Sequence, residues 1–115
     1  MKYGLKEEQW DRLREAFAKN PRIEKAVLYG SRAKGAHRPF SDVDITLVGS
    51  ELSLNDLADL VNGIDDLLLP YMFDISLYSK LKSPELLDHI SRRGIVVYER
   101  DQKENAYDPK QTTKT

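Results

Sequence analysis

The sequence predicts a two-layer α/β domain, a small mixed sheet of about four strands packed against helices. Three observations carry this. Apolar residues recur at helical spacing in some segments and alternate with polar ones in others. The two kinds of segment take turns along the chain. Glycine and proline mark most of the boundaries between them.

From Glu7 to Lys19, the core residues Trp10, Leu13 and Phe17 share a helical face, and Asn20-Pro21 supplies the stop. Ile23 to Tyr29 is a mostly apolar strand, broken by Gly30-Ser31. Arg32 to Ala36 fits a short helical turn ahead of Arg38-Pro39. From Asp42 to Val48 the pattern alternates. Val43, Ile45 and Leu47 point one way, and Asp42, Asp44 and Thr46 the other. Ser53 and Asp56 have capping-box spacing, and Leu57, Leu60, Val61, Ile64 and Leu68 form the stripe of a helix that Pro70 ends. Phe73, Ile75 and Leu77 alternate with Asp74 and Ser76 in a third strand. Ser83-Pro84 opens another helix as N-cap and first-turn proline, with Leu86, Leu87 and Ile90 inward and Gly94 closing it. Ile95 to Tyr98 is a short last strand. The order is α-β-(short α)-β-α-β-α-β, without repeats or an internal linker.

A chain of 115 residues, 40% of them apolar, supports one domain with one modest core. Residues 99–115 contain almost nothing apolar and read as a disordered polar tail, which leaves 1–98 as the folded domain. That domain has little room for a separate substrate-recognition unit. The net charge of -1 comes without any block of like charges, so there is no sign of nucleic-acid binding by a basic face. The absence of cysteine excludes disulfides, thiolate catalysis and zinc–cysteine sites. Neither a signal peptide nor an apolar run of the roughly 20 residues needed to span a membrane is visible, and the expectation is a soluble cytoplasmic protein.

The informative stretch is Gly30-Ser31, ten residues, then Asp42-Val43-Asp44. A nucleoside triphosphate requires backbone N–H groups, a hydroxyl and positive charge around its phosphates. Gly30 at a strand end lets the backbone approach closely, and the following helical turn directs free N–H groups outward. Ser31 adds a hydroxyl, and Arg32 and Lys34 add positive charge. Asp42 and Asp44 project from one face of a strand whose other face is apolar. Carboxylates that close repel unless a cation relieves them, and Mg²⁺ takes such oxygens while leaving room for phosphate. Asp74 follows the same in–out pattern on a second strand. If the two strands pair, three carboxylates can hold two ions about 3.5–4 Å apart, the clamp for in-line displacement at phosphorus.

This run, with Asp74 in Phe73-Asp74-Ile75, resembles the signature of the polymerase-beta-type nucleotidyltransferase superfamily. The wording Gly30-Ser31-Arg32-Ala33-Lys34-Gly35 is most similar to its minimal (MNT) branch. The resemblance spans roughly Ile23 to Tyr98. It implies a nucleotidyltransferase fold and two Mg²⁺ ions, with Asp42 and Asp44 ligating both. It makes Asp74 the ligand of the catalytic ion and an aid in taking the acceptor's proton. Ser31 and Gly30 would bind the terminal phosphates of ATP, with Arg32 and Lys34 as further phosphate contacts. The branch is commonly encoded beside a small helical HEPN-domain protein, often an RNase toxin. Some members act as antitoxins by transferring AMP to a tyrosine of that partner. The resemblance thus implies an ATP-dependent adenylyltransferase with a HEPN-type partner.

Blander readings exist for each part. Gly30-Ser31 alone fits an ordinary turn, and Asp42 and Asp44 fit a loop cap and an exposed strand residue. Aspartate is disfavoured in strands, however, so three on two strands demand a reason. His37 and His89 lack ligand partners in the sequence and suit surface positions. Asp56, Asp59, Asp65 and Asp66 suit a solvated helix face, and Arg92-Arg93 a helix C-terminus. Tyr29 reads as structural. Rival functions are nucleotidyl transfer to a small molecule such as an aminoglycoside, and a non-catalytic nucleotide-binding module that neutralises a partner by contact. A homo- or hetero-oligomer is expected, because a four-strand sheet leaves edges to cover.

Overall fold

A computed structural model describes residues 1–100, and here the alternating segments become four helices and four strands. They run α1 (Glu7–Ala18), β1 (Lys25–Tyr29), α2 (Ser31–Lys34), β2 (Val43–Val48), α3 (Leu54–Asp65), β3 (Phe73–Leu77), α4 (Pro84–Arg93) and β4 (Ile95–Glu99). A 3₁₀ turn at Tyr78–Lys80, unmarked in the sequence pattern, follows β3. β4 reaches Glu99, and Arg100 is tied back to Glu24 and Pro21 through backbone and side-chain bonds. The ordered chain therefore passes the expected boundary at 98, and the remaining tail residues, 101–115, lie outside the described ones.

The sheet order is β3-β2-β1-β4. β1 lies antiparallel to both β2 and β4, whereas β2 and β3 are parallel and joined through α3, so the sheet is mixed as expected. Val43, Ile45 and Leu47 turn toward α1 and α3 and form the main core with Leu5, Trp10, Leu13, Phe17, Leu60 and Ile64. Asp44 and Thr46 take the opposite face, the consequence of a two-residue period. That face is not bare. Val27 and Tyr29 of β1 pack there against Ile90 of α4, with Leu86 and Val48 alongside. α4 thus sits over β1, and beside it the face is exposed at Asp42 and Asp74 but closed at Thr46, which is fully buried.

Local chemistry sets the helix ends. Ser53 caps α3: its hydroxyl accepts from the Asp56 N–H at 3.3 Å, while its own N–H donates to Asp56 Oδ2 at 2.8 Å. Asn20 and Arg22 also donate to Asp56, which is only 7% exposed, so Asp56 leaves the solvated face expected for it. Asp59, Asp65 and Asp66 do face solvent. Ser83 caps α4 by accepting from the Leu86 N–H, with Pro84 in the first turn. Among the described residues, no helix is long and apolar enough to cross a membrane.

Candidate active site

Strand register assembles the site. Asp44 pairs with Asp74 across the parallel β2–β3 ladder, and Tyr29 pairs with Asp44 across β1–β2. Three neighbouring strands therefore carry Tyr29, Asp44 and Asp74 in one row. One step further into the sheet, Thr46 and Ser76 are paired too, and their hydroxyls bond at 3.0 Å. Asp42 lies two residues before Asp44 on the same face, exposed at the mouth of β2. The adjacency of β2 and β3 on which the sequence reading depended is thus present.

The row is electrostatically loaded. Burial raises the Asp44 carboxyl above the ordinary carboxylate range, and the charges of Asp74 and then Asp42 push it the same way. Arg32 opposes them weakly. The Tyr29 phenol is raised too, chiefly by burial. A side-chain hydrogen bond with Ser76 opposes that rise, and Asp44 and Asp74 add to it.

Gly30 closes β1 and opens α2. Its φ of 80° is open to glycine and costly for other residues. A Cβ there would run into the Asp44 carboxylate, so the glycine lets the turn lie directly against that acid. Ser31, half-exposed, begins α2, and Gly35 ends it in the left-handed conformation. The Gly30 N–H is not left open: it donates to His89 Nε2 at 2.8 Å, from α4. His89 is partly buried and meets the Tyr29 ring edge-on at 6.2 Å between centroids. The surface position expected for it is therefore corrected.

Arg32 requires a larger correction. It is 1% exposed, and its guanidinium donates to the Ser41 carbonyl from both Nε and Nη2 and to the Tyr3 carbonyl from Nη1. It also lies over the Tyr71 ring, 5.4 Å from the centroid. Its donors are thus directed at the chain and not at the crest of Gly30-Ser31, where a phosphate contact was anticipated. The consequence is positional: the Ser41 carbonyl that it grips immediately precedes Asp42. Lys34 stays exposed on α2. His37 is partly buried near Gly4, with its Nδ1 enclosed and without a hydrogen-bond partner.

Mg²⁺ chemistry can be tested against these residues. The donors are all carboxylate oxygens, the set hard cations prefer, and Asp44 is raised first by burial and then by the neighbouring charges of Asp74 and Asp42. Among the described residues, however, no three acidic or histidine side chains are close enough together to hold an ion as placed. The backbone of Asp44 and Asp74 is in register, and the side chains of Asp42 and Asp74 are exposed and not held by packing. The donor chemistry fits the ions, and the strand register brings Asp44 and Asp74 to one level. A 440 Å³ cleft lined by Arg12, Lys19, Arg22, Asp56 and Leu60, among others, lies between α1 and α3 on the other face of the sheet and belongs to no part of this site.

Comparison with known proteins agrees with the geometry. Solved structures with the same fold include a toxin–antitoxin complex with AMP-PNP (TM-score 0.62, 20% identity, covering 88% of this chain and 79% of that one). Another is a chain from the complex of the tri-AMPylated Shewanella oneidensis HEPN toxin with its MNT antitoxin (TM-score 0.61, 14% identity, covering 88% and 77%). A third is a candidate nucleotidyltransferase from Sulfolobus solfataricus (TM-score 0.52, 19% identity, covering 79% and 77%). No curated protein sequence matches significantly. The family model described as "Polymerase beta, Nucleotidyltransferase" matches residues 11–103, most of the chain and all of the carboxylate row. The chain belongs to the polymerase-beta nucleotidyltransferase family.

Proposed function

We propose that the chain is a Mg-ATP-dependent adenylyltransferase of the MNT antitoxin type, which transfers AMP to a tyrosine hydroxyl of a HEPN-type RNase toxin. The observation that carries this is the Asp44–Asp74 pair, level on parallel strands, with Asp44 directly against the Gly30 turn. In this reading Gly30 and Ser31 receive the β- and γ-phosphates, with Lys34 as the exposed cation nearby. Two Mg²⁺ ions, when bound by Asp42, Asp44 and Asp74, supply Lewis-acid polarisation of the phosphoryl oxygens. Asp74, the exposed member of the row, takes the proton as the acceptor oxygen bonds to the α-phosphorus. The bond from that phosphorus to the β-phosphate oxygen breaks, and pyrophosphate leaves. Arg32 holds Asp42 in place through the Ser41 carbonyl.

Two features support a protein acceptor. Asp42 and Asp74 are exposed at the end of β2 and β3, so a large substrate has access to them. Phe40, 95% exposed, and Met72, 72% exposed, flank a 340 Å³ cleft next to Asp42, apolar surface that a docked protein would cover. The same fold occurs in the complex containing an AMP-modified HEPN toxin. Co-expression with a HEPN-type RNase encoded beside the gene tests the reading. The wild type should relieve toxicity and leave AMP on a toxin tyrosine, read by mass spectrometry. Asp42→Asn should form the complex but leave the toxin unmodified and active. If that variant neutralises as well as the wild type, contact alone suffices and catalysis is not the mode of action.

A further inference from the structure

Pairing between β1 and β4 stops at Leu28, opposite Ile95, the first residue of β4. Gly30 therefore lies beyond the ladder, and its N–H has no strand partner on that side. An amide left partly buried without an acceptor is costly. His89 fills the gap from a helix 59 residues further on, accepting the Gly30 N–H at 2.8 Å. To accept there, the ring must be neutral with its proton on Nδ1. Its orientation is held by the edge contact with Tyr29 and by its neighbour Ile90, which packs on Val27 and Tyr29.

We infer that His89 is a positioning residue for the phosphate turn: by accepting the Gly30 N–H it holds the Gly30-Ser31 backbone in the conformation that receives the triphosphate. The inference rests on the proposed nucleotide site and adds α4 to it. Gly30 is where such a restraint matters most. A glycine at positive φ has the widest alternative freedom, and here its neighbour is the Asp44 carboxylate. With the hydrogen bond present, the turn is already ordered when nucleotide arrives, so less entropy is lost on binding. His89 touches no reacting atom.

Two substitutions separate hydrogen bonding from packing. His89→Phe keeps a ring against Tyr29 but has no acceptor. His89→Gln loses the ring but can place an amide oxygen near the position of Nε2. Mg-ATP affinity of each purified full-length chain is measured by calorimetry, and exchange of the Gly30 amide by NMR. His89→Phe should bind Mg-ATP about ten-fold more weakly and lose protection at Gly30, while His89→Gln stays within about two-fold of wild type. The reverse pattern, or wild-type affinity and protection in both variants, overturns the inference. If wild type itself binds no Mg-ATP, the nucleotide site falls and the inference with it. In that case Gly30 protection still reports separately whether the hydrogen bond exists.

Discussion

Asp44 and Asp74 stand opposite each other on a parallel ladder, and the closer packing of Asp44 makes it the strained member of the pair. It is half-buried under the Gly30 turn, while Asp74 is exposed. In the proposed function this asymmetry separates their roles: Asp44 would anchor positive charge, and Asp74 would be reachable by an incoming hydroxyl.

The strain has a measurable sign. Without metal, the folded state holds the Asp44 proton more tightly than the unfolded chain does. Stability therefore falls as pH rises from the ordinary carboxylate range through the raised native value. Asp44→Asn removes the penalty. In chelator at about pH 7 the variant should melt above wild type by about 2 °C, a small shift because the group is partly solvated, and the gap should close near about pH 3. Mg²⁺ should stabilise wild type alone. Nucleotidyl transfer by the variant should fall by at least about 100-fold.

Gly30→Ala is expected to damage activity out of proportion to stability. With φ at 80° and ψ at -155°, a region essentially confined to glycine, an alanine costs about 1–3 kcal/mol, and its Cβ meets the Asp44 carboxylate. Pushing that carboxylate aside, or the turn away from it, separates the acid from the Gly30-Ser31 backbone that the proposed triphosphate needs beside it. Denaturant unfolding and transfer rates, measured together, check this. A loss of activity no greater than the loss of folded protein would contradict it.

Arg32→Lys separates a clasp from a phosphate ligand. Lysine cannot serve the Ser41 and Tyr3 carbonyls together, so the variant should lose about 3 kcal/mol of folding stability with Mg-ATP absent. Unchanged stability with weakened ATP binding would return Arg32 to the phosphates.

Asp56 predicts acid sensitivity away from the site. The Ser53 backbone N–H above all, with Asn20, the Ser53 hydroxyl and Arg22, holds its carboxyl below the ordinary range. Its stabilising effect is therefore complete above the ordinary carboxylate range and lost as pH falls through the lowered native value. Asp56→Ala should melt below wild type at neutral pH, and the difference should shrink toward acid. A pH-independent difference would assign the effect to packing.

Alternation made much of this legible. Val43, Ile45 and Leu47 set against Asp42 and Asp44 announced both the strand and which face would carry charge, and Phe73-Asp74-Ile75 did the same for β3. Register was not legible, because nothing in either segment encodes whether two strands pair in parallel or with which residues opposed. Arg32 escaped because its partners are backbone carbonyls of Tyr3 and Ser41, which leave no side-chain signature. His89 escaped for a different reason. Its partner is a glycine amide brought near only when α4 folds back across β1, and a lone histidine on a helix gives no warning of that.

In the proposed function this carboxylate row moves a nucleoside monophosphate to a protein hydroxyl. The most direct measurement incubates the chain with Mg²⁺, a purified HEPN-type partner and ATP labelled at the α- or the γ-phosphate. Label is expected on the partner from the α position only, and almost none with Asp44→Asn. Label from the γ position, or α-label undiminished in the variant, would contradict it.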